Sequence, residues 1–212
     1  MSDMDTLREP QRYRPHAEVA APVPRAWPTR SISLQAAVTG AGRTMSLDEF
    51  LAVTVSTALL VVVDGVVVYE RYFHGTRAED RLLGFSATKS ALALLVGQAV
   101  DDGRLPGLDT PVIDLVPELG ASGYAGVNLR QLLTMTSGVA WQEDYHDLAS
   151  PASRLLRRWR DGAGGLRESL LEIPTADPPG SRYAYCTPNS LVLDWARERA
   201  TSESFPAALA RL

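Results

Sequence analysis

The chain is almost without lysine: of its 21 basic residues, 20 are arginine and Lys89 is the exception. Such a bias suggests pressure toward arginine at the coding level, and a lysine that survives it marks a position where arginine is no substitute. Lysine can release its proton at accessible pH and arginine effectively cannot. The plainer alternative is one chance surface lysine. Cysteine is just as scarce. Cys186 stands alone, so no internal disulfide can form, and it reads as a free, buried thiol. The three histidines, His16, His74 and His146, share no ligand spacing. The usual zinc sites are therefore excluded, and each histidine reads as a local or surface residue. Long apolar runs are also missing. Ala58 to Val63 stops at Asp64, far short of the ~18 residues that span a bilayer. The first residues carry Asp3, Asp5 and Glu9 without an apolar core, so no signal peptide is expected. A net charge of −4 leaves no dominant basic face. The expectation is a cytoplasmic protein with no nucleic-acid and no membrane partner.

What remains is an ordinary globular composition, 45% hydrophobic and 22% charged over 212 residues, enough for a real core. Residues 1–45 are rich in proline and arginine without a period and read as an irregular arm. Residues 46–104 open with a short helix, Leu47 to Thr54, whose Ser46 and Glu49 form a capping-box pattern. Two β-branched runs, Ala58 to Val63 and Val66 to Phe73, flank Asp64-Gly65 and predict an antiparallel hairpin with a type I′ turn. The first run is apolar on both faces, so cover is expected on both. Ser86 to Asp102 reads as a helix apolar nearly all round, hence buried. Residues 105–180 lose the β signal. They read as a helical subdomain with short helices at Thr110–Leu119, Leu129–Thr134, Ser153–Arg160 and Leu166–Ile173. Residues 181–212 hold a tyrosine-rich turn and a further helix, Asn189 to Ala200.

The sharpest chemical signal is Ser86-Ala87-Thr88-Lys89, at the start of the apolar helix. An offset of three places the serine and lysine on one helix face, about a turn apart. A hydroxyl at a helix N-terminus lies near free backbone N–H groups and the positive end of the dipole, which favours a developing oxyanion. A neutral amine one turn away can accept the serine proton, and apolar burial favours the neutral form. The alternative is a capping serine and an outward lysine. The second signal is Pro179-Gly180-Ser181-Arg182-Tyr183-Ala184-Tyr185-Cys186-Thr187. A tyrosine on such a turn can act as general acid or base, or Tyr183 and Tyr185 simply pack. Glu143, Asp144 and Asp147 read as a solvated loop, with a cleft lining as the alternative. Arg154, Arg157, Arg158 and Arg160 read as a solvated helix face, with anion binding as the alternative.

Together these elements resemble serine hydrolases related to class C β-lactamases and serine DD-peptidases, most of all the 6-aminohexanoate-dimer hydrolase-like proteins. The resemblance runs from about Ser46 onward. It rests on Val68–Gly75, on Phe85-Ser86-Ala87-Thr88-Lys89-Ser90, on Asn128–Val139 with Trp141–Tyr145 after it, and on the Pro-Gly…Tyr-x-Thr element. Four ordered motifs are far more specific than Ser-x-x-Lys alone. The resemblance implies an α+β fold of the β-lactamase/DD-peptidase type: an N-terminal hairpin, a buried central helix and a helical insert. It implies Ser86 as acylated nucleophile, Lys89 as its base and Tyr185 as proton shuttle. The Ser86 N–H would be half of an oxyanion hole. Tyr145 and Thr187 would contact substrate, a linear amide or ester, with no metal and no organic cofactor. Thr187 stands where β-lactamases carry asparagine, which weighs against β-lactam turnover. The family's later Lys/His-Thr-Gly-like or Gly-Gly-His-like strand has no counterpart, so the expectation is a chain truncated before the C-terminal strands. Three readings stay open: an acyl-enzyme hydrolase of a linear amide or ester, a catalytically impaired remnant or interaction module, and a β-lactam-recognising hydrolase; self-association or a complementing chain would cover the sheet edge left open.

Overall fold

The computed structural model describes residues 26–40, 42–80, 82–160 and 165–211. The contacts divide the chain into two compact units, which separate between Leu83 and Gly84.

The first unit is built on hairpins. Strands β1 (Ala37–Gly40) and β2 (Arg43–Ser46) pair antiparallel. This hairpin lies inside the stretch that the sequence suggests is an irregular arm, and it corrects that reading for residues 37–45. Residues 1–25 lie outside the described residues. The hairpin is short and almost wholly exposed, so it leaves no hydrophobic period for a sequence pattern to register. Helix α1 (Leu47–Val53) follows directly, and the Ser46 hydroxyl accepts the Glu49 backbone N–H at 3.2 Å. Only this half of the expected capping box forms, because the Glu49 carboxylate pairs with Arg43 instead.

Strands β3 (Ala58–Val63) and β4 (Val66–Tyr72) form the predicted hairpin. Asp64 and Gly65 have φ of +50° and +74°, and positive φ at both central residues is the type I′ signature. The backbone of Arg30 and Ile32 bonds to the carbonyls of Val67 and Val68, and Val68 is buried. The cover expected on both faces of β3 is not there among the described residues: Leu60, Val62 and Val63 are exposed.

The second unit is helical. A tight 3-10 turn, Phe85–Ala87, leads into α2 (Thr88–Asp101). Short helices α3 (Val112–Leu115) and α4 (Leu129–Leu133) follow, then α5 (Pro151–Arg160), α6 (Leu166–Leu171), α7 (Thr187–Thr201) and α8 (Phe205–Leu209). Asn128 and Gln131 cap α4 reciprocally, each side chain accepting the other's backbone N–H. One core joins these helices. It includes Leu92, Val96 and Ala99 of α2, Val112 and Val116 around α3, Leu129 and Leu132 of α4, and Val192 and Ala196 of α7.

Helix α2 packs against α7 and α8, so it groups with the helical residues that follow it. This corrects the sequence expectation that groups it with the hairpin in residues 46–104. Its apolar residues are also not all covered. Leu92, Leu95, Val96 and Ala99 are buried, whereas Ala93 and Gly97 are exposed and Leu94 keeps 65% of its surface in water. The helix is therefore buried along one stripe rather than all round.

Candidate active site

Ser86 sits in the 3-10 turn before α2, and Lys89 lies three residues on, in the first turn of the helix. The offset does what the spacing suggests: Lys89 Nζ is 3.1 Å from Ser86 Oγ. Phe85, just before the serine, has φ of +40°, a conformation that bulky residues rarely adopt. Ser86 follows directly on this bend and is exposed. Lys89 is half-buried rather than enclosed.

Tyr185 arrives from the other end of the second unit. Its hydroxyl donates to Ser86 Oγ at 2.9 Å across 99 residues of sequence, and Lys89 Nζ lies 5.2 Å from the centre of its ring. Ser86, Lys89 and Tyr185 thus meet around one oxygen. Tyr183 points elsewhere, with 65% of its surface exposed.

The loop that delivers Tyr185 is fixed by the Asn128–Val139 motif. Gly180 N–H donates to Thr136 O at 2.7 Å, and Ala184 N–H donates to Met135 O at 2.8 Å. Ala176 and Asp177 N–H both donate to Gly138 O at 2.9 Å. Gly138 has φ of +74°, and a Cβ there would lie 2.2 Å from Asp177 O, so only glycine allows this approach. The start of α7 is tied to the same motif. Fully buried Asn189 accepts from Ser137 Oγ at 2.8 Å and from Tyr124 OH at 3.2 Å. Cys186 is buried beside the Tyr124 hydroxyl, its thiol pushed up to about 12 by that burial.

A second knot centres on Glu143. Its carboxylate accepts from the Thr187 backbone N–H at 3.0 Å and from the Thr187 hydroxyl, the Trp141 indole N–H and the Tyr145 hydroxyl. Burial pushes this carboxyl upward, but the four donors outweigh it and hold the group below the ordinary glutamate value. Tyr145 is raised to about 12, by burial first and then by its bond to the carboxylate. Tyr145 and Thr187, expected from sequence to contact substrate, are therefore brought together by Glu143, which the sequence reading had favoured as part of a solvated loop. That reading is corrected for Glu143. The signal was present in Trp141-x-Glu143-x-Tyr145, because alternate residues of an extended segment share a face. Asp144 does behave as a loop residue, accepting the N–H groups of His146 and Asp147.

Fold and site together define an α+β chain in which a Ser-x-x-Lys helix start is met by a tyrosine presented on a Pro-Gly loop. The β-lactamase family model matches residues 46–212, and the chain belongs to that family. It is 34% identical over 174 residues to the 6-aminohexanoate-dimer hydrolase of Paenarthrobacter ureafaciens, a match covering 80% of this chain and 44% of that protein. Among solved structures, a Bacillus anthracis protein provisionally named a 6-aminohexanoate-dimer hydrolase superposes with a TM-score of 0.74 at 23% identity. That match covers 88% of this chain and 51% of the other. A class C β-lactamase mutant superposes with a TM-score of 0.50 at 20% identity, over 74% of this chain and 43% of the other. These likenesses establish the β-lactamase/DD-peptidase fold. The chain spans about half the length of the relatives it matches.

Proposed function

We propose that this chain carries the acylation centre of a serine hydrolase acting on a linear amide or ester. The observation that carries the reading is the convergence of Lys89 Nζ and Tyr185 OH on Ser86 Oγ, at 3.1 and 2.9 Å. Both are at hydrogen-bond distance, the reach a general base needs. Ser86 Oγ attacks the carbonyl carbon, and its proton passes to Lys89, directly or through Tyr185. The carbonyl oxygen becomes an oxyanion beside the Ser86 N–H. On collapse the C–N or C–O bond breaks, and the leaving amine or alcohol takes the proton. An ester on Ser86 remains, and water cleaves it with the same base. The linear-amide class is supported by the name of the 34%-identical relative, a 6-aminohexanoate-dimer hydrolase. Thr187, whose hydroxyl and N–H both face Glu143, contributes to the site by holding the tyrosine loop.

The test is intact mass after exposure to a fluorophosphonate probe. The chain should gain one adduct and Ser86→Ala none. An adduct that persists in Ser86→Ala, or no adduct on a chain that melts cooperatively, overturns the reading.

A further inference from the structure

Outside this site the second unit holds a cleft of about 540 Å³, within the size range of small-molecule sites. Its lining includes none of Ser86, Lys89 and Tyr185. Its apolar lining includes Trp141, Leu155, Ile173 and Pro188. Arg154, Arg157 and Arg158 line it as well, with Glu172 the one carboxylate among the described lining residues. Two of the three arginines are held by the protein: Arg154 donates to Ala149 O at 2.7 Å, and Arg158 donates to Ser169 Oγ. Arg157 is half-buried and has no hydrogen bond or ion pair among the described residues. A guanidinium partly withdrawn from water beside two more of its sign is costly to leave without an anion. A carboxylate satisfies it with two parallel N–H···O bonds.

We propose that the cleft binds a small amphiphile, an apolar chain ended by a carboxylate, with Arg157 as the principal anchor of the head group. The apolar lining is what separates this ligand from an inorganic anion, which would leave half-buried Trp141 and Leu155 without apolar contact. The cleft selects against amines, because its described lining carries three arginines and one carboxylate. Two sources share this chemistry. One is a free carboxylate ligand. The other is the anionic tail of a substrate processed at Ser86, since Trp141 also donates to Glu143 and Pro188 directly follows Thr187.

The test is calorimetric titration of the 212-residue chain with octanoate, acetate and octylamine. Octanoate should bind one to one and at least about tenfold more tightly than acetate, and octylamine should give no heat of binding. Arg157→Gln should weaken octanoate about tenfold or more while its thermal melt matches the parent, because Arg157 holds no partner among the described residues. Glu172→Gln should tighten it. Octanoate bound no better than acetate, or equally by Arg157→Gln, overturns the proposal. The source is separated by following fluorophosphonate labelling of Ser86 with octanoate present. Slowed labelling assigns a substrate tail, and unchanged labelling with retained binding assigns a free ligand. The titration needs no reactivity at Ser86, so it decides the cleft independently of the hydrolase reading.

Discussion

Glu143 shows how one side chain can hold a site without touching its reacting atoms. Each carboxylate oxygen takes two donors: Oε1 faces Tyr145 OH and the Thr187 hydroxyl, and Oε2 faces the Trp141 indole and the Thr187 N–H. A glutamine keeps the shape but must turn an NH₂ toward two of those donors. Glu143→Gln should therefore cost about 1–2 kcal/mol of stability at neutral pH, read from thermal melts. It should also slow labelling of Ser86, because Thr187 opens α7 only two residues after Tyr185. The pH dependence follows from the direction of its shift. The folded-state pKa lies below the ordinary 4.5, so the contribution is present above that value and is lost as pH falls through the folded pKa. The gap between parent and variant should close on acidification, and a gap that stays constant across that range would remove Glu143 from this role.

Not every residue here was equally legible. Ser86 and Lys89 are neighbours along one helix face, so spacing alone places them. Tyr185 reaches Ser86 across 99 residues, which no local pattern encodes, and it was found through the resemblance. Glu143 is charged, and a charge is most often solvated. Its four donors become visible only when the chain folds Thr187 back onto it.

Among the elements, the hairpin β3–β4 was readable because Asp-Gly imposes its turn chemically. Strands β1 and β2 were not, since four-residue exposed strands carry neither period nor composition. Helix α8 is likewise only five residues long, too short to show a helical period. The Asn128–Val139 motif reads in sequence as a signature without a stated task. The structure gives it one: its backbone is the template on which the tyrosine loop is laid. Gly138 is the tightest point of that template. Gly138→Ala would set a Cβ against Asp177 O and require φ near +74° from a residue that resists it. The expected cost is about 1–3 kcal/mol, with a lower melting temperature and slower Ser86 labelling together. A variant that melts lower yet labels at the parent rate would separate the template from the site.

At the scale of the whole molecule, the distribution of apolar surface sets the behaviour of the isolated chain. The second unit has a continuous core, so it should melt cooperatively. Each unit nevertheless leaves apolar side chains in water: Leu60, Val62 and Val63 on β3, and Leu94 with Ala93 on α2. Single exposed residues are normal, but grouped ones on a regular element mark surfaces that associate. Strand β3 has only β4 beside it among the described residues, so its other edge presents open backbone N–H and C=O groups as well. A net charge of −4 is a weak barrier to contact at physiological salt, where charges more than ~8 Å apart are largely screened. The chain should therefore self-associate. In sedimentation velocity its weight-average coefficient should rise with concentration and with added salt. Leu60→Lys combined with Leu94→Glu should suppress that rise, because each places a charge in an apolar group without entering the core. A parent that sediments as a monomer at every concentration would mean these surfaces are too small or too divided to hold a second copy.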